Sequence, residues 1–172
     1  GGRRITPPAK MPYTRPTTDI AKEGLFNILQ NNLNFEGLNT LDLFGGTGSI
    51  SYELASRGAA KLTIVEKDNK MYEFIKTTSA TLHLLQINIV RSDVFTFLER
   101  NTETYDFIFA GPPYALVNID DLPRLVVKKN ILNKMGWFVL EHTPRNDYKK
   151  FELYRTERNY GTTIFSIFVQ DK

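Results

Sequence analysis

The run Thr40-Leu41-Asp42-Leu43-Phe44-Gly45-Gly46-Thr47-Gly48 is the part of this chain best suited to chemistry on a nucleotide-like ligand. Glycine has no Cβ, so a strand-to-helix turn built from it lets a ligand approach the backbone closely. The spacing Gly45-Gly46-x-Gly48 is not the dinucleotide G-x-G-x-x-G, and Asp42 precedes it at the strand end. A second apolar run, Leu62-Thr63-Ile64-Val65-Glu66, ends in an acid 20 residues after Gly46. A carboxylate there can accept two hydrogen bonds from ribose hydroxyls. In Arg91-Ser92-Asp93-Val94-Phe95, Asp93 can accept from an adenine amino group, or simply cap a helix. A fourth segment, Phe109-Ala110-Gly111-Pro112-Pro113-Tyr114, joins a turn stiffened by two prolines to a ring able to stack on a flat base. Acids in register at three successive strand ends are hard to attribute to capping.

These residues need a frame, and the hydrophobic periodicity supplies one. Alternating elements are predicted as strands at 39–44, 61–66, 87–91, 105–110 and 135–141, and helices at 49–57, 69–82, 93–100 and 120–129. Gly58 is a natural stop for the first of these helices. An earlier helix starts at Thr17-Thr18-Asp19, with Thr18 as cap, Asp19 and Glu23 suiting the positive end of the dipole, and Leu25, Phe26, Ile28, Leu29 and Leu33 as its apolar stripe. Residues 151–158 and 162–170 alternate like an antiparallel pair around Asn159-Tyr160-Gly161. Alternating β and α units imply a mainly parallel sheet covered on both faces, whose ligands bind beyond the carboxyl ends of the strands near the topological switch point. One domain is expected over 17–172, preceded by an arm over 1–16.

Composition narrows the classes. With 172 residues, 41% of them hydrophobic, the chain suits one domain with a well-formed core. Zero cysteines exclude disulfides, thiolate zinc sites and a cysteine nucleophile, and fit a reducing compartment. No apolar run approaches the roughly 20 residues that span a bilayer. The opening Gly1-Gly2 without Met predicts an incomplete start. Net charge is +3, unevenly spread: Arg3, Arg4, Lys10 and Arg15 occur in residues 1–18, which carry no acid. The run Thr6-Pro7-Pro8-Ala9-Lys10-Met11-Pro12 cannot be helical. Such an arm either lies along a phosphate backbone or is a solvated tail. A second basic cluster, Arg145, Lys149, Lys150, Arg155 and Arg158, is interleaved with acids and reads as surface.

The glycine turn resembles the S-adenosylmethionine (SAM) loop of class I methyltransferases, and Gly111-Pro112-Pro113-Tyr114 nearly completes an amino-methyltransferase signature. The whole chain resembles the RsmD family of bacterial 16S rRNA guanine-N2 methyltransferases. The residues that carry it are Arg15-Pro16-Thr17-Thr18-Asp19 with Lys22-Glu23 and Leu25-Phe26-Asn27, Asp42 to Gly48, Arg57-Gly58-Ala59, Val65-Glu66, and Pro112-Pro113-Tyr114. The resemblance implies a Rossmann-like three-layer α/β sandwich with a mainly parallel seven-stranded sheet and an antiparallel hairpin at its C-terminal end. It implies a cytoplasmic, monomeric enzyme without metal or membrane association, acting on 16S rRNA in the small ribosomal subunit or its assembly intermediates. The cofactor set is then Asp42, Phe44, Gly45, Gly46, Thr47, Gly48, Glu66, Lys67, Asp93 and Val94. The catalytic turn is Gly111, Pro112, Pro113 and Tyr114, and the RNA-contacting set is Arg3, Arg4, Arg15, Thr17, Thr18 and Asp19.

Gly111 departs from that pattern, because an acidic or amide side chain is expected before Pro-Pro-Tyr. A guanine N2 amine is a poor nucleophile, and acceptors must hold its hydrogens while its lone pair is aimed. Gly111 offers only its carbonyl. Three readings follow: the Gly111 or Pro112 carbonyls suffice, a neighbouring carboxylate such as Asp120 or Asp121 swings in, or the chain binds SAM and RNA without efficient turnover. By analogy with one lost oxyanion-hole donor, the missing acceptor costs about 3 kcal/mol, on the order of a hundredfold in rate. A small-molecule methyltransferase is a further alternative, and an NAD-dependent dehydrogenase is disfavoured by the glycine spacing. Helix capping alone would explain Thr17, Thr18 and Asp19. Glu141-His142 looks like a base–metal pair, yet two histidines and no cysteine make a metal site improbable. His142 belongs at the site rim or is structural, and His83 at a helix end. Trp137, Phe95, Phe97, Phe107 and Phe109 read as core.

Overall fold

Thr18 caps the first helix. In the computed structural model, which describes residues 17–172, its Oγ1 accepts from the Ala21 N–H at 3.2 Å and α1 (Asp19–Asn32) follows. The basic arm over 1–16, with Arg3, Arg4 and Arg15, lies outside the described residues. The next units are β1 (Asn39–Leu43), α2 (Ser49–Ser56), β2 (Lys61–Val65), α3 (Asn69–Thr81), β3 (Ile87–Val90), α4 (Val94–Arg100) and β4 (Tyr105–Ala110). Then come α5 (Asp121–Lys128), β5 (Leu132–His142), β6 (Tyr154–Tyr160) and β7 (Thr163–Val169). Gly58, at φ 115°, stops the chain after α2 as its freedom from a Cβ allows.

The strands form one seven-stranded sheet in the order β3-β2-β1-β4-β5-β7-β6. The first five are parallel, and β7 runs antiparallel between β5 and β6. Side chains alternate across the sheet as the period of two demands. Leu41, Leu43, Ile108, Ala110, Phe138 and Leu140 pack on the face covered by α4 and α5. Phe107, Phe109, Val139, Phe165 and Ile167 pack on the other face with α1 and α2. The result is the three-layer sandwich of class I methyltransferases, with the strand order reversing between β1 and β4.

Three details differ from the sequence reading. β5 begins at Leu132 rather than at 135, because the ladder to β4 slips: Leu132 pairs with Tyr105 but Trp137 with Phe107. The surplus residues are absorbed by Met135 at φ 66°, whose N–H donates to the Gln170 carbonyl at 2.6 Å. β6 starts at Tyr154, after Leu153 turns the chain at φ 70°. The hairpin turn is Gly161-Thr162, since Tyr160 still pairs with Thr163; Gly161 takes the left-handed position at φ 66°. Among the aromatic residues read as core, Phe107 and Phe109 are buried, while Phe95, Phe97 and Trp137 are half-buried flanks.

Gly24 explains how α1 reaches the sheet edge. A Cβ on it would stand 2.2 Å from Tyr160 Cζ, so the ring at the end of β6 lies directly on the helix backbone. Helix propensity alone favours Gly24→Ala by about 1 kcal/mol. Overpacking costs roughly 1–3 kcal/mol. Denaturant melts of Gly24→Ala should therefore show a loss of stability; a gain would mean that the Tyr160 contact does not dictate the glycine.

Candidate active site

Two loops meet where the strand order reverses. β1 ends at Leu43, and the chain turns through Phe44 at φ 62°, Gly46 at φ 59° and Gly48 at φ 83° into α2. A left-handed Phe44 costs energy that the surrounding structure must hold, a recurrent mark of functional loops. The turn is pinned by Gly45 N–H donating to the Val65 carbonyl at 3.0 Å and Gly48 N–H to the Gly45 carbonyl at 2.9 Å. Gly45 is glycine for packing: a Cβ there would stand 2.2 Å from Ile64 Cγ2. From β4 the chain continues into Gly111, whose N–H donates to the Leu43 carbonyl at 3.3 Å. The glycine turn and the Pro-Pro-Tyr turn are therefore neighbours.

The acids stand at the strand ends in distinct states. Asp42 is 2% exposed and accepts from Ser51 Oγ at 2.8 Å. Burial pushes its carboxyl up to about 7, opposed by the Ser51 bond and aided by the nearby Glu66 charge. Glu66, half-buried, accepts from the Gly46 N–H at 2.9 Å through Oε1 and from the Asp68 N–H at 2.8 Å through Oε2. Burial raises its carboxyl, against those backbone donors. A carboxylate offers about four lone-pair sites, so it can brace the loop and still receive ligand hydroxyls. Lys67 follows it, exposed. Asp93 caps α4, its Oδ2 accepting from the Thr96 N–H at 3.0 Å, and Val94 behind it is buried. Thr47 is buried within the turn.

Opposite them, Pro112 is buried and Pro113 half-buried, and the Pro113 carbonyl takes the Leu116 N–H at 3.0 Å, which tightens the turn. Tyr114 rests with its hydroxyl 3.4 Å from Thr163 Oγ1 at the start of β7. Glu141, at the carboxyl end of β5 and 1% exposed, completes the group. Its Oε1 accepts from Thr17 Oγ1 at 2.7 Å and lies 3.5 Å from where a Cβ on residue 111 would be. Thr17 thus reaches the site, Thr18 is a cap, and Asp19 is exposed in the first turn of α1.

Asp120 and Asp121 do not supply the acceptor missing at Gly111. The Asp120 carboxylate accepts from the Tyr148 hydroxyl at 2.8 Å, and Asp121 pairs with Arg124 at 3.6 Å on the surface. The carboxylate beside Gly111 is Glu141, which the strand-end rule that found Glu66 and Asp93 could have singled out. Its neighbour His142 is structural. The Thr143 carbonyl can only accept, so His142 Nδ1 donates to it at 2.8 Å and Nε2 accepts from Ser166 Oγ at 2.6 Å. Burial holds the imidazole below its ordinary value. His83 is exposed just past α3, at φ 56°. Among the described residues no group of three His, Cys, Asp or Glu side chains could hold a metal, and no helix is long and apolar enough to cross a membrane.

A glycine turn, a buried acid beneath it and acids at the next two strand ends form a donor set that fits an adenosine-type ligand carrying a cationic group. Comparison with known proteins agrees. The family model described as Conserved hypothetical protein 95 matches residues 1–169. "Ribosomal RNA small subunit methyltransferase D" of Buchnera aphidicola is 29% identical over 127 residues, covering 74% of this chain and 64% of that protein. "Putative rRNA methyltransferase YlbH" of Bacillus subtilis is 33% identical over 133 residues, covering 75% and 71%. The match thus spans less than two thirds of the Buchnera relative. Among solved structures, a Thermus thermophilus hypothetical protein superposes with a TM-score of 0.83 at 25% identity, over 97% of this chain and 93% of that one. A putative methyltransferase complexed with SAH superposes at 0.67 with 21% identity, over 86% and 49%.

Asp42 makes stability depend on pH with a definite sign. Its folded value lies above the unfolded 3.8, so between about 4 and 7 the folded state holds a proton that the unfolded state has released. Stability contributed by this group is full below that window and is lost as pH rises through 7. Asp42→Asn, which keeps an acceptor for Ser51, should flatten much of the decline in denaturant melts run from pH 5 to 8. An unchanged slope would remove Asp42 as its source.

Proposed function

Because the chain belongs to the RsmD family of methyltransferases, we propose that it methylates the exocyclic N2 of a guanine in 16S rRNA of the small ribosomal subunit. The cofactor is S-adenosylmethionine. When bound, it supplies an electrophilic methyl group. The observation that carries the reading is the meeting of the two loops at the switch point, where the Gly111 N–H bonds the Leu43 carbonyl.

Each side of the site has its own task. Glu66 receives the ribose hydroxyls, the Asp42-to-Gly48 turn closes on the cofactor's amino-acid end, and Asp93 with Val94 flanks the adenine. On the other side Pro112 and Pro113 hold the backbone rigid and Tyr114 stacks on a base taken out of the RNA. The turn's carbonyls accept the amine hydrogens so that the nitrogen lone pair is aimed. Arg3, Arg4 and Arg15 contact phosphates, and Thr17, Thr18 and Asp19 at the start of α1 complete the RNA-contacting set. A second reading, a SAM- and RNA-binding protein with little turnover, is favoured by Gly111 alone, since glycine brings no side-chain acceptor.

Methyl transfer from labelled S-adenosylmethionine to small subunits lacking the modification, followed by nucleoside analysis, decides between them. The expected product is N2-methylguanosine with the wild-type chain. Label appearing only with Gly111→Asp would establish the binding-protein reading, and label on another atom would overturn the substrate assignment. In the same preparation Glu66→Ala should weaken S-adenosylmethionine binding by calorimetry about tenfold or more, since it loses both ligand acceptors and the Gly46 brace. Unaltered affinity would exclude Glu66 from the cofactor site.

A further inference from the structure

We propose that Glu141 is the side-chain acceptor for the target amine, in place of the acid or amide that Gly111 lacks; the proposal rests on the functional reading above. The geometry brings a carboxylate to the position that lacks a side chain. Glu141 Oε1 lies 3.5 Å from the Cβ position of residue 111, in van der Waals contact with where a side chain there would begin. It arrives from the carboxyl end of the adjacent strand: Ala110 pairs with Leu140, so Gly111 and Glu141 are the next residues along two neighbouring strands. The two positions are therefore alternative anchors for one acceptor.

The Thr17 hydroxyl shows what this carboxylate receives. It donates to Oε1 at 2.7 Å from the segment that leads into α1, 124 residues away in sequence. An amine N–H entering beside Gly111 meets the same oxygen, either sharing it or displacing the hydroxyl. A carboxylate gives a charge-assisted hydrogen bond, roughly twice the strength of one to a neutral carbonyl. Glu141 can thus hold one hydrogen of the amine while the Gly111 or Pro112 carbonyl holds the other. Asp120 and Asp121, engaged by Tyr148 and Arg124, offer no such oxygen.

The assignment separates a substrate contact from a structural anchor by its effect on an amine. Guanosine and inosine differ only in the N2 amine. Binding of cofactor-free protein to an RNA hairpin carrying the unmodified target guanosine, or inosine in its place, should favour guanosine in the wild type. Glu141→Gln, which replaces the anionic acceptor with a weaker neutral one, should reduce that preference and slow methyl transfer roughly 10- to 100-fold. Its S-adenosylmethionine affinity should stay unchanged. The double variant Gly111→Asp, Glu141→Gln should recover both, because a carboxylate is restored from the neighbouring strand. A purely structural Glu141 would instead lower the melting temperature and leave the guanosine preference intact, which overturns the proposal. So does a wild type that binds both hairpins alike, or a double variant no better than Glu141→Gln. N2-methylguanosine formed at equal rates by wild type and Glu141→Gln sinks the Glu141 assignment alone. Methyl label on another atom sinks the substrate reading and this assignment with it.

Discussion

The site depends on the parallel pairing of β1 with β4. Asp42 stands beside Phe109 and Leu43 beside Ala110, so both strands run out of the sheet at the same level. Their connections then leave in opposite directions, since β1 is followed by β2 on one side and β4 by β5 on the other. Such a reversal of connections is where open α/β sheets bind ligands, beyond the carboxyl ends of the strands. The Gly111–Leu43 backbone bond extends the ladder one step beyond the strands and fixes the distance between the two loops.

That pairing also explains the energetics of Asp42. A buried carboxyl is costly when charged, and its rise to about 7 measures that cost. A core position would tolerate an apolar residue more cheaply. The acid is kept under the glycine turn, bonded to Ser51 on α2 and coupled to Glu66 on the next strand end. Glu66 in turn holds Gly46 and Asp68 by their backbone N–H groups. The glycine turn is thus strained at Phe44 and restrained from both flanks, an arrangement that keeps its backbone donors in place.

What could be read from the sequence was local. The glycine turn, the acids at strand ends and the Thr18 cap each announce themselves within a few residues, and the alternation of elements yields the doubly covered sheet. What could not be read was set by distant partners. Asp120 looked available because nothing nearby in sequence says that Tyr148 takes it. The early start of β5 follows from a slip against β4 and a contact of Met135 with Gln170, neither visible in the periodicity of residues 132–136. Thr17 could be assigned as a cap or a contact residue, but its bond to Glu141 joins the two ends of the domain.

The same nonlocality bears on why glycine is tolerable before Pro-Pro-Tyr. A carboxylate at position 111 would face Glu141 from the next strand, with its Cβ only 3.5 Å from Oε1 and 3.2 Å from Phe109 Cε1. Two like charges so placed repel each other, so a second carboxylate there would carry an electrostatic penalty. Glycine removes the conflict and leaves one carboxylate at the mouth of the crevice. In local terms Gly111 is a loss; in the context of β5 it leaves the Glu141 carboxylate beside the turn without a like charge at 111.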